Sequence, residues 1–579
     1  MLVLKGIAAS PGVAIGPAVL LPGDNFAVSR QYIEPAEVKA ELQKMHHAMQ
    51  KTLDELDACE KKVLSTLGTE YANLMSPHKL ILQDPALKDS VAKKIRTEHL
   101  SAQAALFLTL QELASAFDKI EDPFFKERRN DIFDVGKRLV NNLEGGKREF
   151  LASINKPSLL VAHNLYPSDT INLQENQVIG FCTDVGGKTS HTALLAQSLN
   201  LPAVVGLSTA SKDVKSGDTL IIDGENGLLV INPDRYTLAN YRKIQREIKK
   251  TDALLKTINH LPVITQDGRG VKLYVNYDPR TDNKDNKRLI TDGLGLLRTE
   301  FLYMDTPTPP TEDDQYRMYL AVLKRFDMRP TAIRLADLGA DKMPDFPLDE
   351  FDKDANPFMG CRGIRLFLKN PDLLYTQLRA IVRTACEVPA QVKIMIPMVS
   401  AVEEVRHVRT AFNEVLKEFE AKGKKPLNRV ALGAMIEVPA AAIALDGMIG
   451  ELDFISIGTN DLIQYLIAVD RVNQEVAHMY DPCHPAVART INQIIQTAHK
   501  RNKRVCICGE IAADSRMLPL LLGLGVDALS VTPRMYLRVK NNIRNLNFEN
   551  CSDLAQAALL MGSSAEIRQL IDNNKNEDS

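Results

Sequence analysis

The chain has 579 residues, 45% of them hydrophobic and 25% charged, with a formal net charge of -2; this composition excludes the basic footprint that nucleic-acid binding needs. One core cannot serve a chain of that length, so about three to four domains are expected, and without 18 uninterrupted apolar residues no membrane span is predicted. The eight cysteines are scattered and form no C-x-x-C pair, which argues against a zinc site or a disulfide framework and for a reduced, cytoplasmic protein.

Along the chain, residues 1–22 are short, β-like and punctuated by glycine and proline; MLVLKGIAASPGVAIG lacks the basic head and continuous apolar stretch of a signal peptide. Residues 23–147 change texture: EPAEVKAELQKMHHAMQKTLDELDACEKKVLSTL is rich in helix formers with apolar positions at helical spacing, and further helical runs follow. Strand-like runs return within 148–234 as LLVA, VIGFCT, AVVG, TLIIDG and GLLVIN, so a small α/β domain made of 1–22 and 148–234 surrounds an inserted helical bundle. Residues 235–261 read as a charged linking helix.

From 262 to 579 about eight apolar strand-like runs alternate with helical stretches: VKLYVNYD, GLGLLRTEFL, TAIRLADLG, VKIMIPMV, VALGAMIEV, FISIGTNDL, VCICGE and ALSVTP. That regularity predicts a (β/α)8 barrel, with a long doubly wound sheet as the alternative. The fold class is therefore α/β and multidomain.

Polar residues collect where these runs end. Arg298 and Glu300 close the second, Arg334 and Asp337 the third, Glu437 the fifth, Asn460 and Asp461 the sixth, Cys508 and Glu510 the seventh. In a barrel such ends meet at one mouth, where active sites lie. Converging arginines suit a small polyanion, and Glu437 with Asp461 suits Mg2+, which takes one or two protein carboxylates and leaves its other positions to substrate and water. Cys508 adds a proton donor beside an enolate, or is simply a buried thiol. In the α/β domain, DVGGKTSHTALLAQSLNLPAVVG (184–206) sets His191 in the first turn of a short helix. Free N–H groups and the helix dipole favour an anion there, Gly186 and Gly187 admit close approach, and Thr189 can cap or hydrogen-bond it. A histidine in such a cradle reads as a phosphoryl acceptor; a passive phosphate-binding loop would not require histidine.

GGKTSH with LNLPAVVG resembles the phosphohistidine domain of phosphoenolpyruvate-utilising enzymes. GLLRTEFLYM, NPFMGCRGIR, IPMVSAVEEV, GAMIEVPAAA, SIGTNDLIQYLIAVDR, HPAV and CGEIA resemble their phosphoenolpyruvate-binding barrel. The domain order resembles the enzyme I family of the bacterial phosphotransferase system, over essentially the whole chain. The resemblance implies phosphoryl transfer from phosphoenolpyruvate to His191 with release of pyruvate, then to a histidine of an HPr-type phosphocarrier, as the first step of sugar uptake. It implies Arg298, Arg334, Arg362, Arg471 and Asn460 as substrate-binding residues, Asp461 with both substrate and metal, Glu437 as the second Mg2+ ligand and Cys508 as the proton donor. Thr170, Thr189 and Lys342 would have supporting roles. The insertion would dock the phosphocarrier, with His78, Arg128 and Arg129 as candidate contacts, and a homodimer would form through the barrel. Lys188, Asn164 and the GADK sequence depart from the family's usual arginine, aspartate and GGDK. A dikinase would need a further nucleotide-binding domain for which the chain has no room, and a non-catalytic sensor would not need His191, Glu437, Asp461 and Cys508 together. Because one histidine must serve both barrel and phosphocarrier, a hinge is expected near an end of the linker.

Overall fold

The computed structural model describes all residues except 22–30, 67–75, 118–131, 133–134, 137, 141, 144–153, 155, 166–172, 174–176, 188–191, 193–195, 197–200, 280–288, 305, 307, 340–345, 347–355, 472, 474–475 and 578–579. It divides into two compact units, Met1–Thr251 and Asp252–Ser579. Among the described residues no helix is long and apolar enough to cross a membrane, and Cys182, Cys361, Cys386, Cys483, Cys506, Cys508 and Cys551 are thiols rather than disulfides.

The first unit holds an eight-stranded sheet: β1 (Leu2–Lys5), β2 (Ile7–Ser10), β3 (Val13–Leu20), β4 (Ser158–Ala162), β5 (Val178–Thr183), β6 (Ala203–Val205), β7 (Thr219–Asp223) and β8 (Leu228–Ile231), in the order β1-β8-β7-β3-β4-β5-β6-β2. The adjacent strands β3 to β6 pair in parallel. Their unbroken apolar runs have a direct cause, since parallel strands are usually covered on both faces. Leu160, Phe181 and Ala203 enter one core, while their neighbours Leu159, Cys182 and Val204 enter another.

Between β3 and β4 the described residues are mostly helical. Helices α1 (Val38–Thr66), α2 (Ser76–Gln83), α3 (Pro85–Thr97) and α4 (Ala102–Phe117) build a separate core around Leu56, Leu82, Val91, Ile95 and Leu106, with Val135 and Leu139 packed in. Asp84 caps α3, accepting from the Ala86 N–H at 2.8 Å, and proline follows at the first helical position. Helix α5 (Arg235–Thr257) follows β8.

The second unit contains β9 (Lys272–Tyr277), β10 (Leu294–Leu297), β11 (Thr331–Arg334), β12 (Val392–Ile396), β13 (Ala431–Ile436), β14 (Phe454–Ile457), β15 (Val505–Ile507) and β16 (Ala528–Val531), closed into one barrel by β16 pairing with β9. All eight pairings are parallel. The doubly wound alternative is excluded by that closure. Side chains alternate across each strand: Val392, Ile394 and Ile396 point outward into the helical shell, while Met395, Met435, Ala332 and Leu296 form an inner layer that also includes Cys508. The strands are covered on both sides, with a largely apolar outer face and an inner face that mixes apolar residues with polar ones such as Asn276, Ser456 and Ser530, so these segments read as largely hydrophobic runs.

The helical shell is close-packed. At Gly523, at the end of helix Leu518–Gly523, an added Cβ would stand 1.8 Å from the Cys551 carbonyl oxygen in helix Phe548–Leu560. Gly523→Ala should therefore destabilise the barrel unit by about 2 kcal/mol, lowering its Tm by several degrees in calorimetry. An unchanged Tm would contradict this packing.

Candidate functional site

The inward, period-two positions carry the chemistry to the C-terminal end of the barrel. Arg334 follows Ala332, Glu437 follows Met435 and Cys508 follows Cys506, each one inward step further along its strand. The alternation that aims side chains into the lumen thus delivers charged ones at its mouth.

There, Arg334, Arg362, Glu300, Asp337, Glu437 and Asp461 all lie at 9% exposure or less. Arg334 donates through Nη2 to Glu300 Oε1 at 2.7 Å, and its Nη1 stands 3.6 Å from Asp337 Oδ2. Arg362 grips Asp337 by two bonds, Nε to Oδ1 at 3.2 Å and Nη2 to Oδ2 at 2.7 Å, while its Nη2 is 3.6 Å from Asp461 Oδ2. The Asp337 N–H donates to Glu300 Oε1 at 2.9 Å. Glu437 Oε1 accepts the Met398 N–H at 2.7 Å; Met398 sits in the left-handed region at φ 55°, a conformation of non-glycine residues that gathers at functional sites.

Four buried carboxylates face two buried guanidinium groups. That excess leaves its mark on Glu437, whose pKa is pushed up to about 8 by burial first, then by the charges of Asp461 and Asp337. The buried Oδ1 of Asp461 has no hydrogen-bond partner among the described residues. Either a proton or a cation relieves such an arrangement. Two carboxylates from adjacent strand ends, one with an orphaned oxygen, are a donor set that a hard divalent ion accepts.

Around this cluster stand the other expected residues. Arg298, exposed, follows β10 and donates its N–H to the Tyr277 carbonyl at 3.0 Å. Asn460 and Glu510 bond reciprocally, Nδ2 to Oε1 at 3.0 Å and the Glu510 N–H to Oδ1 at 2.9 Å. The N–H of half-buried Arg471 donates to Gln464 Oε1 at 3.2 Å. Cys508, 7% exposed, has its thiol pushed up to about 11 by burial, so it holds its proton at neutral pH. A proton donor must do so.

His191, Thr170, Thr189, Lys342, Arg128 and Arg129 lie outside the described residues. The segments on either side of His191 are described: Gly186 has φ 125°, and Thr192 donates through Oγ1 to the Leu165 carbonyl at 3.0 Å. His78 is 1% exposed, which removes it from the docking contacts expected of it: a ring packed in the bundle cannot face a partner. Sequence reading noted Glu300 and Asp337 only as strand-end residues and passed over Met398. For Glu300 and Asp337 the available signal was their position beside Arg298 and Arg334.

The chain matches three family models: the phosphoenolpyruvate-utilising enzyme N-terminal domain over residues 5–128, the mobile domain over 154–227 and the phosphoenolpyruvate-binding domain over 252–548. It is 37% identical to the phosphoenolpyruvate-protein phosphotransferase of Haemophilus influenzae over 98% of each chain. The corresponding protein of Geobacillus stearothermophilus is 37% identical over 97% of this chain and 96% of its own. That of Bacillus subtilis is 36% identical over 97% and 98%.

The raised Glu437 pKa has a consequence for stability. A carboxyl that ionises at 4.5 when unfolded and near 8 when folded favours the folded state at low pH, and that contribution is lost as pH rises through 8. In metal-free protein, Glu437→Gln should raise Tm by a few degrees at pH 9 and by clearly less at pH 6, where Glu437 already holds its proton. An equal effect at both pH values would contradict the assignment.

Proposed function

This chain belongs to the phosphoenolpyruvate-utilising enzymes, among them to the phosphoenolpyruvate-protein phosphotransferases of the phosphotransferase system, and we propose that it phosphorylates its own His191 and then a histidine of an HPr-type phosphocarrier. The observation that supports this most is the buried cluster at the barrel mouth, where two guanidinium groups meet four carboxylates beside a protonated thiol.

In this reading Arg298, Arg334, Arg362 and Arg471, with Asn460, bind and orient the phosphate and carboxylate of phosphoenolpyruvate. Glu437 and Asp461 hold Mg2+, which when bound supplies positive charge to the substrate oxygens. The P–O bond to the enol oxygen breaks as a nitrogen of His191 bonds phosphorus. The electron pair stays on oxygen as pyruvate enolate, and Cys508 gives its proton to the methylene carbon, regaining one from solvent. Thr170, Thr189 and Lys342 support these groups. Phosphate on His191 then passes to the phosphocarrier, docked on the helical insertion, whose core is separate from those of the surrounding sheet.

We take the domains as 1–22 with 148–234 for the phosphohistidine domain, 23–147 for the docking insertion, 235–261 for the linker and 262–579 for the barrel. The protein works in the cytoplasm as a barrel-mediated homodimer, and light scattering tests the latter.

Glu437→Ala or Asp461→Ala should slow phosphorylation of His191 by phosphoenolpyruvate more than about a hundredfold, since even indirect partners of a metal ligand give losses of 10–100-fold. Reverse transfer from phosphorylated HPr to His191 should survive, because it does not use the barrel. Loss of both directions in a folded variant would contradict the reading. Deleting 23–147 should spare self-phosphorylation and abolish transfer to HPr, as label transfer would show; unimpaired transfer would refute the docking role.

A further inference from the structure

The two guanidinium groups of the mouth share one carboxylate, Asp337, which is 1% exposed. It engages Arg362 side-on through both Nε and Nη2, at 3.2 and 2.7 Å, so one edge of that fork is fully committed. The remaining nitrogen, Nη1, reaches the Tyr465 hydroxyl at 3.4 Å. Nη2 stands 3.6 Å from Asp461 Oδ2, beyond hydrogen-bond distance yet close enough that a small rotation would close it. Arg362 therefore faces two carboxylates and grips one; the other oxygen of Asp461, Oδ1, has no hydrogen-bond partner among the described residues.

Asp337 is itself held in place. Its N–H donates to Glu300 Oε1 at 2.9 Å, the same oxygen that accepts Arg334 Nη2 at 2.7 Å. Gly363, at φ 57°, closes over it: a Cβ there would lie 3.1 Å from Asp337 Oδ1. Glu300, Arg334, Asp337 and Arg362 thus form a buried chain of alternating charge that ends against Asp461.

We propose that Asp337 is a positioning residue: by occupying Arg362 it keeps that guanidinium off Asp461, leaving Asp461 to a divalent cation, and it fixes Arg334 and Arg362 in the planes that receive the substrate. This rests on the reading that the mouth binds a divalent cation and phosphoenolpyruvate. Freed from Asp337, Arg362 would turn its fork onto Asp461, because bidentate guanidinium–carboxylate pairs are strong and Asp461 is adjacent. Asp337 acts on the cation through Arg362, so its effect must vanish where Arg362 is absent.

A double-mutant cycle on the full chain tests this. Mn2+ binding to the protein without substrate would be titrated by electron paramagnetic resonance in the native protein, Asp337→Asn, Arg362→Ala and the double variant. Asp337→Asn is expected to weaken Mn2+ binding at least tenfold in the native background and less than twofold in the Arg362→Ala background. The phosphoenolpyruvate concentration giving half-maximal labelling of His191 should rise at least tenfold in Asp337→Asn, while reverse transfer from phosphorylated HPr is unchanged. Unaltered Mn2+ binding in folded Asp337→Asn, or equal weakening in both backgrounds, would overturn the proposal. If Asp337→Asn does not fold, Asp337→Ser, which removes the carboxylate that occupies Arg362 and adds no bulk, undergoes the same comparison with the same deciding outcomes. A native protein that binds no Mn2+ and takes no label would instead sink the underlying reading, a result that the native sample alone reveals.

Discussion

Burying more negative than positive charge at the open end of a barrel is costly, and the mouth of this protein depends on how that cost is met. Arg334 and Arg362 are committed to Glu300 and Asp337 at 2.7 Å each, leaving Glu437 and Asp461 as the surplus. In the protein alone a proton on Glu437 relieves part of that surplus, because burial and neighbouring carboxylates raise its pKa. A divalent cation would relieve all of it and would leave its remaining coordination positions to substrate. The affinity of the mouth for a cation and then for a polyanion therefore follows from an imbalance built into the fold.

The barrel makes such an imbalance tolerable. Its strands are buried on both sides, and the helical shell around them contributes the largest apolar core of the molecule. Strand alternation then decides which residues enter the mouth: one inward step beyond Ala332, Met435 and Cys506 come a guanidinium, a carboxylate and a thiol. The thiol sits in the apolar inner layer with Met395 and Met435, and that environment keeps its proton in place. Cys508 and Glu437 are thus both pushed up first by burial, and neighbouring carboxylates add to the effect.

Much of this was legible in the sequence because each strand is a short, largely apolar run that ends in polar residues. All eight barrel strands lie within the runs picked out as strand-like, and the residues that end those runs meet at the mouth. The strands proved shorter than the runs: in GLGLLRTEFL the strand stops at Leu297, and Glu300–Leu302 turns into a 3-10 helix, since most polar residues of the mouth lie just beyond the strand ends. What the sequence could not reveal was who pairs with whom. Asp337 looked like one more strand-end residue, yet it is the partner of Arg362, 25 positions away, a spacing that no periodicity predicts. His78 was misjudged for the converse reason, since a helical pattern does not say which histidine its neighbours will cover.

The central claim is that the phosphoryl group of phosphoenolpyruvate ends on one histidine of the chain without any nucleotide. The most direct test is to incubate the protein with phosphoenolpyruvate carrying labelled phosphate, Mg2+ and no ATP. Pyruvate is then measured, and the labelled peptide is isolated under basic conditions that preserve phosphohistidine. The account predicts one pyruvate per phosphate incorporated, with acid-labile label on the peptide containing His191. Label on a different peptide, or no label on a folded protein with Mg2+ present, would contradict it.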